Sequence, residues 1–149
     1  MLHCTAAFVL SSPHLLRCSL KDMRTIPGAN ATTQRGPADW FDGEVWIQPV
    51  LGADDSPSQR SAVVSFAAGA RTAWHTHPRG QMIFILSGIC HAQRHGGPIE
   101  QLAAGDAAWF APGEKHWHGA APGRPMVHLA VQEADDRGEV VTWLERVSL

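Results

Sequence analysis

Histidine is the residue type in this sequence whose number and spacing point to chemistry. Nine occur in 149 residues, and seven of these lie between His75 and His128. Neutral imidazole is the commonest protein ligand for transition metals, and it also titrates near neutral pH. His75 and His77 are two residues apart, and His116 and His118 repeat this spacing. Residues two apart in a β-strand point to the same face. If both pairs face into one small barrel, four imidazoles converge, which indicates a metal site.

The elements that must position these histidines are predicted to be β-strands. Short apolar and β-branched runs alternate with glycine- and proline-containing turns, a pattern typical of an all-β sandwich or barrel. The predicted strands are Glu44–Val50, Ser61–Phe66, Arg71–His77, Gln81–Ser87, Ile89–Arg94, Asp106–Phe110, Lys115–Ala120, Met126–Gln132 and Val140–Leu144. No stretch has sustained helical periodicity, although a short helix over residues 140–147 is an alternative at the C-terminus.

Composition limits the classes of function. Residues of apolar type make up 44% of the chain, enough for one buried core. Twelve Lys and Arg against fourteen Asp and Glu give a formal net charge of −2, which disfavours nucleic acid as a partner. The longest apolar runs, such as Met82–Leu86, have five residues. These are far shorter than the roughly 20 residues that span a bilayer, so we expect no membrane segment.

The cysteines and the N-terminal residues suggest where the protein resides. Three cysteines without metal-type spacing indicate free thiols in a reducing compartment. Residues 1–22 contain only a five-residue apolar run, with no Lys or Arg before it, and therefore do not resemble a secretory signal. We expect a cytoplasmic protein in which residues 1–22 are a disordered extension and residues 23–149 form one domain.

The spacing around the histidines resembles the two sequence motifs of the cupins. The register of the first motif is matched by Gly69, His75, His77, Gln81 and Gly88, and the second is resembled by Gly105, Gly113 and His116. This resemblance implies a single-domain, all-β cupin fold, which is a double-stranded β-helix or jelly-roll barrel. Gln81 stands where the first motif usually has an acidic residue.

That departure alters the chemistry expected of the site. Three neutral imidazoles and a neutral amide oxygen leave a divalent ion with its full charge, which makes it a stronger Lewis acid than an ion bound to a carboxylate. A mixed nitrogen and oxygen ligand set suits Mn, Fe, Co or Ni, and affinity order alone does not choose among them.

The sequence resembles a particular branch, the small bacterial cupins with manganese-dependent hydroxynitrile lyase activity. The similar segments are Gly36–Phe41, Gly69–Pro78, Trp109–Phe110, Pro112–Pro122, His128–Ala130 and Gln132–Glu133. The resemblance implies that one divalent metal, Mn(II) before Fe, Ni, Co or Zn, is bound by His75, His77, Gln81 and His116. It also implies that His118, His128 and Gln132 are catalytic groups near a small-molecule substrate, with Ala62 and Val64 as small apolar lining.

The implied reaction is the cleavage or synthesis of a cyanohydrin, by a Lewis-acid metal and a histidine acid or base. His118 and His128 both remain candidates for the base, because an ordinary imidazole has a pKa of about 6.5. Two alternatives stay open: a metal-dependent dioxygenase or other oxidoreductase, and a non-catalytic cupin that binds a small molecule. The fold alone does not decide between these functions. Small barrels of this kind commonly associate, so we expect a dimer or a tetramer.

Overall fold

Strands dominate the protein. The computed structural model describes residues 23–148, so the predicted extension lies outside the described residues. Within them, a single 3-10 turn at Gly28–Asn30 precedes the first strand. The strands are β1 (Gln34–Arg35), β2 (Phe41–Asp42), β3 (Val45–Leu51), β4 (Gln59–Phe66), β5 (Arg71–Thr72), β6 (His75–Thr76), β7 (Gln81–Arg94), β8 (Glu100–Ala103), β9 (Ala107–Phe110), β10 (His116–Ala120), β11 (Met126–Glu133) and β12 (Thr142–Trp143).

Two antiparallel sheets curl around one core and share a strand. The first sheet has the order β1-β3-β4-β11-β7-β9. In the second sheet β7 lies between β8 and β10. Strand β10 pairs in turn with β5 and β6, and these pair with β2 and β12. The predicted all-β barrel is thereby confirmed, while the division of the chain at residue 23 stays a prediction.

Strand β7 joins the sheets because of a glycine at its centre. The sequence predicts two strands that end and begin on either side of Gly88, but the structure has one strand of 14 residues. Gly88 has φ +80°, and a Cβ atom there would lie 2.0 Å from the carbonyl oxygen of Pro125. A residue without a side chain allows β7 to bend at this point and to continue from one sheet into the other.

Other differences from the predicted elements involve short strands. The alternative of a C-terminal helix is wrong, because β12 pairs with β6 and residues 140–147 contain no helical turn. The predicted strand Arg71–His77 is interrupted, and His77 follows the end of β6. Strands β1, β2 and β8 were not predicted. Two- to four-residue strands are fixed by their partners across the sheet, which local sequence does not reveal.

The barrel interior is apolar except where the predicted site residues lie. Ile83 and Ile85 are fully buried, whereas Phe84 and Leu86 between and after them are exposed, as strand geometry requires. Seven polar side chains are buried among the described residues. One is Thr72, and the other six are predicted site residues: His75, His77, Gln81, His116, His118 and His128. In the part of the chain that the structure describes, no helix is long and apolar enough to cross a membrane.

Candidate metal centre

Three histidines and a glutamine meet inside the barrel from three strands. His75 begins β6, His116 begins β10, and the two residues face each other across the antiparallel pair. Their ring centroids are 4.2 Å apart. The ring of His77 lies 5.2 Å from that of His75, and Gln81 begins β7. The structure thus brings together the four residues predicted to bind metal.

Each of these three imidazoles is oriented by a backbone carbonyl. The contacts join Nδ1 of His75 to the oxygen of Ala73 at 3.0 Å, Nδ1 of His77 to that of Val140 at 2.6 Å, and Nδ1 of His116 to that of Glu114 at 2.8 Å. A carbonyl oxygen can only accept, so Nδ1 carries the proton in each ring. Every Nε2 atom is therefore left with a free lone pair, the arrangement in which histidine binds a metal.

Gln81 completes a set of acceptors. Its amide nitrogen donates to Oε1 of Gln132 at 3.5 Å, and its Oε1 lies 3.1 Å from Nε2 of His116. Because Nδ1 of His116 carries the ring proton, two acceptors face each other at this distance. Nε2 of His77 is buried and has no partner. Buried acceptors without donors are unfavourable, and a divalent cation is a species that all of them can bind. The residues therefore fit a metal.

His118 lies closer to this cluster than the sequence predicts. One ring nitrogen each from His75, His116 and His118 lie within 4.8 Å of one another, so His118 is a candidate ligand besides a candidate base. The ring of His77 is instead drawn towards the C-terminal residues by its contact with Val140. The four-residue ligand set stays a prediction.

His118 and His128 form a second pair beside this cluster. The ring centroids of His118 and His128 are 4.9 Å apart, and Phe66 lies against both rings. Both side chains are at most 3% exposed. None of their four ring nitrogens has a hydrogen-bond partner. Two unpartnered imidazoles in an apolar enclosure are free to exchange protons with a bound molecule.

Gln132 and the small apolar residues lie on β11, which carries His128, and on its neighbour β4. Gln132 lies opposite Gln81 across the β11–β7 pair. On the other side of β11, Val64 is opposite His128 and Ala62 is opposite Ala130. Val64 is buried, and Ala62 packs against the core. The structure therefore places these predicted residues around one interior space, and their roles stay predictions.

Burial keeps all five histidines neutral at pH 7. Loss of solvation lowers the pKa of His77, His116 and His128 to about 4. It also lowers the pKa of His75 and His118 well below 6.5, and neighbouring imidazoles add to this effect. Neutral rings have the lone pairs that metal binding and proton abstraction both require.

Two aromatic residues of the site were missed by sequence reasoning. The ring of Phe110 stacks on that of His116 with centroids 3.7 Å apart and planes 5° from parallel. Trp143 packs against His75 at 4.8 Å. Phe110 lies in a predicted strand and alternates with exposed Trp109, so strand parity could have found it. No comparable signal identifies Trp143, because its strand has two residues and a distant partner.

The protein is an antiparallel jelly-roll barrel that encloses a cluster of neutral imidazoles. It therefore belongs to the class of small barrels with a candidate metal site inside. Residues 62–132 match the family model described as a cupin domain. Together with the relative described next, this match shows that the chain belongs to the cupin family.

The sequence relative is an enzyme. It is the (R)-mandelonitrile lyase of Granulicella tundricola, with 54% identity over 114 residues, which are 76% of this chain and 86% of that protein. Among solved structures, a cupin-like protein from Thermotoga maritima has a TM-score of 0.71 at 33% identity, over 76% of this chain and 86% of its own. The polyketide cyclase RemF from Streptomyces resistomycificus has a TM-score of 0.68 at 17% identity, over 86% and 87% of the two chains. At that identity the likeness concerns the fold alone.

Proposed function

We propose that the protein is a metal-dependent hydroxynitrile lyase, which cleaves a cyanohydrin into a carbonyl compound and hydrogen cyanide and catalyses the reverse addition. The observation that carries the proposal is the unpartnered, neutral pair His118 and His128 beside the imidazole cluster. The relative named as (R)-mandelonitrile lyase supports it through 54% identity, and suggests an aromatic cyanohydrin as substrate.

His75, His77, Gln81 and His116 would hold the metal, with His118 as a further candidate. The mixed set of nitrogen and neutral oxygen donors does not choose among Mn, Fe, Co and Ni. The resemblance to manganese-dependent cupins favours Mn(II), with Fe, Co, Ni and Zn as alternatives. When bound, the ion supplies Lewis-acid stabilisation of the negative charge that develops on the cyanohydrin oxygen. The protein itself orients the four neutral ligand groups and excludes water from them.

The second histidine pair, His118 and His128, transfers the proton of the reaction. A neutral His118 or His128 accepts the hydroxyl proton of the cyanohydrin at a free ring nitrogen. As the carbon–oxygen double bond forms, the carbon–carbon bond to the nitrile breaks, and its electron pair leaves with cyanide. The protonated imidazole then returns the proton to cyanide, so hydrogen cyanide and the carbonyl compound are released. Burial favours the return step, because it disfavours the charged ring.

The lining of the barrel fits a small and largely apolar substrate. Phe66 lies beside both histidines, and Val64 is opposite His128. Small side chains at Ala62 and Ala130 leave space that larger residues would fill. Gln132, which accepts from Gln81, would orient a polar group of the substrate.

The test combines metal analysis with product detection. Protein freed of metal is loaded separately with Mn, Fe, Co, Ni or Zn, and cyanide release from racemic mandelonitrile is measured. We expect activity in at least the manganese form, and loss of both metal and activity in His116→Ala. Oxygen consumption without cyanide release would support an oxygenase instead. Metal binding without turnover of any cyanohydrin would support a binding protein.

We also propose that the protein is a homo-oligomer formed through the outer face of the first sheet. The exposed large side chains of that face are Trp46, Phe84, Leu86 and Trp109. Leu129 of β11 lies opposite Phe84 of β7 on this face. Apart from the two-residue β1, the first sheet has five strands, about 4.8 Å apart and roughly 20 Å long. They offer about 400–500 Å² per copy, so two copies approach the roughly 1,000 Å² of a stable interface. Arg35 and Glu44 lie beside Trp46 at the edge of this face, so an apolar centre with a charged rim is available to a second copy, as in other interfaces.

Light scattering of purified protein tests this association. We expect a dimer or tetramer for the wild type and a monomer for Phe84→Glu. The matched control is Ile99→Glu, because Ile99 is 43% exposed and precedes β8, which pairs only in the second sheet. A monomeric wild type would contradict the proposal.

A cytoplasmic location is the remaining part of the proposal. Cys90, the free cysteine among the described residues, is buried, and burial raises its pKa to about 12. Such a thiol is unreactive and carries no information on secretion. Fractionation of the native cells, followed by detection of the protein, tests the location directly.

A further inference from the structure

We propose that the C-terminal strap, defined as residues 140–145, positions two ligands of the metal centre, His75 and His77. This inference rests on the metal site proposed above. The strap lies beyond residue 132, where the match to the cupin family model ends. The match to the family model therefore does not include it.

The strap orients His77 through one backbone atom. The carbonyl oxygen of Val140 accepts from Nδ1 of His77 at 2.6 Å, across 63 residues of sequence. This contact fixes both the ring orientation and the tautomer, and it leaves Nε2 buried without a partner. Of the three imidazoles in the cluster, His77 alone takes this contact from a distant segment. His75 and His116 use carbonyls two residues away.

The strap supports His75 through a side chain. Trp143 lies opposite His75 in the β12–β6 pair, and the two rings are 4.8 Å apart at an angle of 40°. Trp143 is itself held by two aromatic neighbours, one in the turn before β2 and one at the start of β2. Its ring stacks on Trp40 at 5.3 Å and meets Phe41 edge-on at 5.6 Å. The position of His75 is thus fixed by an aromatic wall as well as by its own strand.

Backbone hydrogen bonds fasten the strap at this place. The amide of Leu144 donates to the carbonyl of Trp74 at 2.8 Å, and the amide of Trp74 donates to the carbonyl of Glu145 at 2.9 Å. The carboxylate of Glu145 also pairs with Lys115, the residue before His116. The strap is therefore bonded to the residues that immediately precede two of the ligands, His75 and His116.

These contacts couple the strap to the metal in both directions. If the strap orients His75 and His77, a bound ion must stabilise the strap to the same extent, since coupling between two equilibria is reciprocal. Groups that orient metal ligands typically change metal affinity by about 10- to 100-fold.

The first test is the metal affinity of tryptophan variants. Trp143→Leu removes the aromatic wall, and we expect manganese, measured by chelator competition, to bind about 10- to 100-fold more weakly. Trp143→Phe retains an aromatic ring and should restore most of the affinity. The matched control is Ile99→Ala, since Ile99 is 43% exposed and lies outside both the metal centre and the proposed interface. Equal affinity in Trp143→Leu and the wild type would overturn the proposal.

The second test measures hydrogen exchange in protein whose strap carries no substitution. Hydrogen exchange at the amides of Leu144 and Trp74 is compared with and without manganese in the wild type and in His116→Ala. We expect manganese to slow exchange at both amides in the wild type only. The amide of Gly36, which donates to Val45, is the internal reference. Unchanged exchange at the strap while manganese is bound would contradict the coupling. Neither measurement uses cyanide release, so a wrong substrate would leave both results interpretable.

Discussion

Nε2 of His116 lies 3.1 Å from Oε1 of Gln81, and neither atom carries a proton for the other. Two buried acceptors at this distance repel each other unless a positive charge lies between them or near them. The amide nitrogen of Gln81 is directed to Gln132, which keeps the oxygen on the side of His116. The protein thus places two lone-pair atoms side by side, an arrangement that suits the binding of a cation.

Replacing that amide oxygen by a carboxylate should strengthen binding and weaken catalysis. Gln81→Glu adds a negative charge, so we expect a lower dissociation constant for manganese. The same charge reduces the Lewis acidity of the ion, and turnover should fall by about tenfold, which corresponds to about 1.4 kcal/mol in the barrier. Chelator competition and cyanide release measure the two quantities. Tighter binding together with faster turnover would show that the neutral oxygen is not what tunes the ion.

Loss of His128 should slow turnover strongly without removing the metal. In His128→Ala we expect kcat to fall by about 10²- to 10⁴-fold, the usual contribution of a general acid or base, with metal content unchanged. The control is His91→Ala, because His91 lies between buried Cys90 and Ala92 and so points away from the core. If His128→Ala keeps wild-type turnover, His118 alone acts as the base.

The depressed pKa of His128 should make the metal-free protein acid-sensitive. Its pKa is about 4 in the folded protein and about 6.5 when unfolded, so the unfolded chain binds more protons between these values. Stability is therefore fully present above pH 6.5 and is lost as the pH falls towards 4. The loss from this one group is on the order of 3 kcal/mol at its limit.

Urea unfolding in the presence of a chelator measures this loss. The free energy of unfolding is compared at pH 7.5 and pH 5 for the wild type and for His128→Gln, which does not titrate. The groups facing His128 include Phe66 and His118, and the latter also has a lowered pKa. The variant should therefore lose less stability on acidification than the wild type, but not none. Identical losses would mean that His128 does not contribute to the acid sensitivity.

Gly88 should be irreplaceable for steric reasons. In Gly88→Ala the new Cβ atom would meet the carbonyl oxygen of Pro125, and the residue has φ +80°. Gly96 has a similar φ of +77°, with nothing within 4 Å of a Cβ, so Gly96→Ala reports the backbone strain alone. We expect a loss of about 1–2 kcal/mol for Gly96→Ala and several kcal/mol for Gly88→Ala. Equal midpoints in urea would show that the backbone adjusts at Gly88.

The sequence predicted the histidine cluster well because strand parity is a local rule. His75 and His77 were expected on one face, and both are buried although His77 lies just beyond its strand. The positions of Trp143 and Val140 could not be predicted, since both depend on pairing between segments about 65 residues apart. The same limit explains the C-terminal helix that does not form. Residues 140–147 have no strong local preference, and β6 determines their structure.

The continuity of β7 has a mechanical consequence for the whole barrel. Gln81 at its first position belongs to one sheet, and Ile89–Arg94 belong to the other. Neither sheet should unfold or change register while the other stays intact, because β7 forms the central hydrogen bonds of both sheets. Unfolding should therefore be a single cooperative transition, in which the histidine cluster is lost at the same temperature as the outermost strands.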